Sequence, residues 1–248
     1  MTLKPAIGVI GGLGPQASAW LYTLLVDKAK DHTDLRDTAD YPRVVLLSTA
    51  IPNYLQTGQA SDPAVMAEVI GLVQEEVRLL EAAGAIVNAI ACNTAHLALD
   101  QLQSVTAVPF LSIMDLVSGA IAGRARPGLL STRLTKQTGL YASVHPNLHI
   151  PEDSVLEGVE TWVFKLLDGS ITKADRAAFR QFVDEFKQAN DLDAVVLGCT
   201  ELPVVYGPTA RPDVVSTLEV LADGLLDSYY ARLCAGQAGD WGQGDEAA

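Results

Sequence analysis

The chain has 248 residues, 49% of them hydrophobic and only 6% aromatic, so it can bury a substantial core built mostly from aliphatic side chains. Seventeen Lys and Arg against 30 Asp and Glu leave a formal charge of -13, which argues against a surface that neutralises nucleic-acid phosphates or binds an anionic membrane. Three cysteines are too few for a disulfide framework, no run approaches the roughly 18 apolar residues of a membrane span, and residues 1–20 lack the pattern of a secretion signal; the expectation is a cytoplasmic protein.

Ala6-Ile7-Gly8-Val9-Ile10 reads as a buried strand. Gly11-Gly12-Leu13-Gly14-Pro15 is a tight turn into a helix with Trp20, Leu21, Leu24 and Leu25 at helical spacing. Arg43 to Thr49 is a second strand, and because Pro52 has no amide donor, Ala50 to Tyr54 leaves the sheet as a loop at a strand's carboxyl end. Asp62 and Pro63 are the cap and first residue of a helix whose stripe of Val65, Val69, Leu72, Val73, Val77 and Leu80 runs to about Ala83, where Gly84 stops it. An apolar run then ends at Cys92, and a helix follows to about Gln103. The pattern predicts a strand from Val108 to Ser112, a helix through Leu116 and Ile121 ended by Gly123, a short strand from Gly128 to Thr132, and a further element from about Lys136. Residues 146–151 are Pro-rich and fit a sheet edge. Helices around 154–168 and 174–190 lead to a strand ending at Cys199, and Val214 to Thr217 introduces a last helix to about Leu233. This alternation predicts an α/β fold with mainly parallel strands. Residues 236–248, rich in Gly, Ala and acids, are expected to be a disordered tail.

Two turns share a plan. Ile90-Ala91-Cys92-Asn93-Thr94-Ala95-His96 and Leu197-Gly198-Cys199-Thr200-Glu201 each put a cysteine where a buried strand gives way to a helix. Ligands in open α/β sheets bind at strand carboxyl ends, so the two turns read as halves of one site. Helix-start amides favour a thiolate, which predicts thiol pKa values lowered from about 8.5 towards neutrality. A thiolate on one face of a carbon acid and a thiol on the other form an acid/base pair that inverts a stereocentre. Asn93, Thr94 and Thr200 offer short donors for a carboxylate held between the sulfurs. Taken singly, a cysteine is more often a buried structural thiol and Asn or Thr a helix cap; the matched pair reverses that weighting. Glu201 and His96 are each placed to tune a thiol, and His96 reads equally as a solvated helix residue. Gly12-Leu13-Gly14-Pro15-Gln16-Ala17 matches a dinucleotide fingerprint only formally, because Pro15 removes a cradling amide and the second strand ends without an acid for the ribose. No close Cys or His pair has zinc spacing, so no metal is expected.

Taken together, Ile10-Gly11-Gly12-Leu13-Gly14-Pro15, Ala91-Cys92-Asn93-Thr94-Ala95-His96, Leu130-Ser131-Thr132 with Thr135, Gly139 and Tyr141, and Leu197-Gly198-Cys199-Thr200-Glu201-Leu202-Pro203 resemble the aspartate/glutamate racemase superfamily. Within it they resemble the cofactor-independent aspartate racemase-like amino-acid racemases, over nearly the whole chain to about residue 233. The resemblance implies two pseudo-symmetric α/β lobes facing across a cleft, a homodimer, and racemisation of a small amino-acid substrate without pyridoxal phosphate. It assigns Cys92 and Cys199 as the acid/base pair, Asn93, Thr94 and Thr200 as carboxylate holders, and Leu13 as a substrate-lining residue. It also implies lobes at residues 1–106 plus 213–235 and at 107–212.

Three stretches depart from that family. After Ile51-Pro52, aspartate racemases resemble one another in carrying Asp-Arg, whereas this chain has Asn53-Tyr54, so the cation for a distal carboxylate is missing and Tyr54 and Gln56 offer neutral hydrogen bonds. Lys165 lies close to a lysine expected near 164–168, although the best register puts Leu167 or Asp168 there. Thr132-Arg133-Leu134-Thr135 departs from a Gly-Thr pattern and resembles broad-specificity members, with Thr132 facing substrate and Arg133 a candidate for the missing charge. The expected activity is racemisation of aspartate, glutamate or a broader set of amino acids. The alternatives are a lyase or decarboxylase acting through an enediolate, and a non-catalytic amino-acid binder.

Overall fold

The fold is that of a computed structural model, which describes residues 3–52 and 62–237; Tyr54 and Gln56 lie outside the described residues. Among the described residues, six strands form two separate three-stranded parallel sheets. β1 (Ala6–Gly11), β2 (Arg43–Ser48) and β3 (Ala85–Ile90) take the order β2-β1-β3, and β4 (Pro127–Leu130), β5 (Ala194–Leu197) and β6 (Val214–Ser216) take the order β4-β5-β6. All pairings are parallel, and every residue of β1, β4, β5 and β6 is buried, as expected of strands covered on both faces.

Helices cover these sheets: α1 (Pro15–Lys28), α2 (Pro63–Ala82), α3 (Leu99–Gln103), α4 (Ile113–Ile121), α5 (Arg133–Gln137), α6 (Asp153–Leu167), α7 (Lys173–Ala189), α8 (Glu201–Tyr206) and α9 (Thr217–Gln237). Local chemistry sets several of their ends. The Asp62 side chain accepts from the Ala64 amide with Pro63 at the first position, and Gly84, at φ +83°, makes the left-handed turn that ends α2 and starts β3. Thr172 and Asp175 form a reciprocal capping box at the start of α7. Along α2, Val69, Val73, Val77 and Leu80 are buried, while Leu72, expected in the same stripe, faces outward at 50% exposure. One helical step of about 100° from Val73 carries it off the buried face.

The expected strand from Val108 to Ser112 is reduced to a single bridge between Phe110 and Asn88. Val108 donates its amide to the Thr106 hydroxyl and Phe110 to the Gln103 side chain, and Pro109 has no amide to give, so the segment cannot extend the ladder. The second sheet gains a matching single bridge from Gly128 to His149, in the stretch expected at an edge. The chain crosses between sheets at places other than those expected. The Phe110 bridge and α4 belong with the first sheet, because Ile113, Val117 and Ile121 pack in the same core as Leu21, Leu25 and the inner face of α9. Val214–Ser216, expected with the first lobe, pairs with β5 in the second sheet, and the crossing falls at the β6–α9 junction. The helix α9 then returns over the first sheet: the Tyr229 hydroxyl donates to the Pro5 carbonyl at 3.1 Å and Lys28 pairs with Asp223 at 2.9 Å. It also includes residues 236 and 237, where the disordered tail was expected to begin; the rest of that stretch lies outside the described residues.

Candidate active site

The two cysteine turns approach each other, with Cys92 acting on the ionisation of Cys199 and Gly14 lying against Glu201. After β3, Cys92 leads into a 3-10 turn (Thr94–Ala98), whose Thr94 and Ala95 amides and Thr94 side chain favour the ionised form of its sulfur. After β5, Cys199 stands two residues before the start of α8; its Sγ donates to Glu201 Oε2 at 3.0 Å, and the Thr200 hydroxyl donates to the same oxygen at 3.2 Å. Cys92 is half-buried and Cys199 is buried. A thiolate at Cys92 opposes ionisation of Cys199, and the Glu201 charge opposes ionisation of both, so the two sulfurs and this carboxylate lie within one another's field despite their origin on separate sheets.

The direction of the thiol shifts reverses the sequence expectation. Burial, followed by the Glu201 charge, pushes Cys92 up to about 12, and the same causes in the same order push Cys199 well above its ordinary value. The helix-start amides do act in the expected sense, but removal from water outweighs them. Burial likewise raises the Glu201 carboxyl above the usual carboxylate range, opposed by its hydrogen bonds from Cys199, its own backbone and Thr200. Glu201 fits because residue 14 is glycine: a Cβ there would overlap Glu201 Oε1, so the turn after β1 and the carboxylate after β5 interlock.

Asn93 is buried, and the Tyr141 hydroxyl donates to its Oδ1 at 2.8 Å across 48 residues of sequence. That bond fixes the amide orientation and leaves Nδ2 buried without an acceptor among the described residues. His96, expected to be a thiol tuner or a solvated residue, is neither. It is buried, its Nε2 accepts from the Ile113 amide at 3.0 Å, and the remaining ring proton on Nδ1 therefore donates to the Cys92 carbonyl at 2.8 Å. The ring ties the Cys92 turn to the start of α4 and, being buried, has its pKa lowered.

The other expected residues divide. Leu13, Cys92 and Thr94 line one cavity of about 370 Å³, whereas Asn93, Thr132, Cys199 and Thr200 are buried outside its lining. Thr132 caps α5, its hydroxyl accepting from the Thr135 amide and lying 3.0 Å from the Thr135 hydroxyl. Arg133 is paired with a buried carboxylate: its Nε lies 2.9 Å from Glu160 Oε2 and its amide 2.7 Å from Oε1. Lys165 is held by Asp175 at 2.6 Å. Tyr141 and Gly14 carry geometry that the sequence motifs contained but did not explain, because their partners lie 48 and 187 positions away.

A family model described as Asp/Glu/hydantoin racemase matches residues 10–223, nearly the whole described chain. The chain belongs to the Asp/Glu/hydantoin racemase family. Racemases are isomerases, and membership makes this chain an enzyme of that class. The family member described as the broad-specificity amino-acid racemase of Bacillus subtilis (strain 168) is 23% identical over 230 residues, covering 91% of this chain and 98% of its own. Among solved structures, the Picrophilus torridus aspartate racemase is 26% identical at a TM-score of 0.73, covering 92% of this chain and 95% of its own. An aspartate racemase homologue from Pyrococcus horikoshii OT3, 24% identical, superposes at the same TM-score over 92% of this chain and 100% of its own, and shares the fold of two facing parallel sheets flanked by helices. Among the described residues no helix is long and apolar enough to cross a membrane.

Proposed function

We propose that this racemase inverts the α-carbon of an amino acid with two thiols, Cys92 and Cys199, and without pyridoxal phosphate. The observation that carries the reading is the hydrogen bond from Cys199 Sγ to the buried Glu201 carboxylate, within the field of Cys92 on the opposing sheet. Both thiols rest protonated, so the base has to be made on demand. Glu201 is the group to make it: passing the Cys199 proton along the 3.0 Å hydrogen bond to Oε2 leaves a thiolate beside a carboxylic acid, and burial of Glu201 favours its protonated form while burial of Cys199 opposes the thiolate. The thiolate takes the α-proton, and the C–H electron pair passes into the substrate carboxylate as an enediolate. The Cys92 thiol then delivers its proton to the opposite face, and the resulting thiolate is held by the Thr94 and Ala95 amides. The other enantiomer runs the same steps backwards: the Cys92 thiolate left by this turnover takes its α-proton, the Cys199 thiol delivers to the opposite face, and the proton held by Glu201 returns to Cys199, which restores two thiols and a carboxylate.

The substrate carboxylate falls to Asn93, Thr94 and Thr200. The unpartnered Asn93 Nδ2 is a donor already desolvated and aimed by Tyr141, so charge that grows on the enediolate meets it without reorganisation. Incubating L-amino acids with the enzyme in deuterated buffer, followed by proton NMR and chiral chromatography, is expected to show α-deuterium incorporation with inversion. Cys92→Ala and Cys199→Ala should each abolish inversion; inversion retained in both variants would reject the mechanism. Release of carbon dioxide or of a leaving group in place of inversion would assign lyase chemistry instead.

A further inference from the structure

The cavity beside Cys92 says which amino acids the site accepts. It is bounded by the turn after β1, the residues after β2, the N-terminal half of α2, the turn after β3 and, from the other half of the molecule, α5 and Thr138. Its walls are the side chains of Ile51, Met66, Val69, Ile70, Leu102 and Leu134. Cys92 and Thr94 mark the end nearest the chemistry. At about 370 Å³ it lies within the usual range for small-molecule sites.

Among the described residues, no charged residue lines it. The two cations nearest in sequence to its second-half wall are engaged elsewhere, Arg133 with buried Glu160 and Lys136 with Asp153. The segment that continues from Pro52, Asn53-Tyr54-Leu55-Gln56-Thr57-Gly58-Gln59-Ala60-Ser61, contains no Lys, Arg or His, so no conformation of it brings a cation to the cavity. A carboxylate-bearing side chain would therefore lose its water with no opposite charge to replace it, while an aliphatic or aromatic one would gain by burial.

Building on the racemase reading above, we infer that the substrate is a neutral amino acid with an apolar side chain of leucine, methionine or phenylalanine size, and not aspartate or glutamate. The side chain enters the cavity past Cys92 while the α-carbon stays between the sulfurs. Leu134 meets it from the second half, and Met66, half-buried near the start of α2, is a wall position where a charge can be introduced outside the fully buried core.

The test is the rate of α-deuterium incorporation across L-leucine, L-methionine, L-phenylalanine, L-aspartate and L-glutamate. The best apolar substrate is expected to exceed both acidic ones by at least about 100-fold in kcat/KM, since a buried charge without a partner is rejected more strongly than a change of one methylene. Met66→Arg is expected to narrow or invert that ratio by admitting aspartate, and Leu134→Ala to raise phenylalanine relative to leucine. Aspartate or glutamate exchanging faster than every apolar amino acid in the wild-type enzyme would overturn the inference while leaving the two-thiol reading intact. Exchange with none of the five would overturn the substrate assignment, and the two-thiol reading would fall with it only if no other L-amino acid exchanges.

Discussion

The Cys92 and Cys199 turns follow one plan, strand to cysteine to helix start, yet they hold their sulfurs differently. Cys92 borders a cavity and is met by amides and a threonine side chain, so its surroundings favour an anion that has arrived. Cys199 is sealed in and donates to a carboxylate, so its surroundings can remove a proton but would repel the anion left behind while Glu201 stays ionised. One side stabilises charge and the other generates it. A site built from two like halves reaches an alternating acid/base role only because one half contributes Glu201 where the other has Thr94.

Glu201→Gln breaks this contrast most directly. Inversion should fall by about 10²- to 10⁴-fold, the usual range for losing a general base. The same substitution removes the negative charge that raises Cys92, so the pH profile of Cys92 alkylation should shift downward. Slower turnover with a more acidic Cys92 separates a proton-accepting Glu201 from one that merely fills space; turnover unchanged in the presence of that shift would assign Glu201 a purely electrostatic part.

His96→Ala leaves the Ile113 amide and the Cys92 carbonyl without partners. It should lower stability by about 2 to 3 kcal/mol, read by urea denaturation. The native ring has its pKa lowered, so the unfolded chain binds the proton first: stability is full above about pH 6.5 and falls as pH drops below it, and that slope should flatten in the variant. Smaller still, Tyr141→Phe frees the Asn93 amide to rotate and should cost about tenfold in kcat/KM, roughly the worth of one hydrogen bond, with little change in the thiol titrations.

The strands were legible because buried parallel strands read as unbroken apolar runs, and β1, β3 and β5 all end next to the residues expected of them. Val108 to Ser112 was overread, since its apolar composition hides that its amides bond to Thr106 and Gln103. The cysteines stood out through their matched surroundings, but the direction of their titration did not, because sequence shows helix-start amides and does not show how completely water is excluded. The α2 stripe was read as core; the structure turns Val69 and Val73 towards a cavity as well as towards the sheet. Tyr141 and Gly14 appeared as motif letters without roles, since nothing local couples them to Asn93 or Glu201.

The return of α9 over the first sheet bears on how this chain is made. A ribosome releases residues 6–90, with all three strands of the first sheet, long before residues 217–237, yet Leu21 and Leu25 share their core with Leu221, Leu225 and Tyr229. The half translated first is thus the half completed last, and during that interval its uncovered aliphatic face is what a chaperone would hold. Stop codons near the 3′ end of the coding region should accordingly send the early-made half into aggregates.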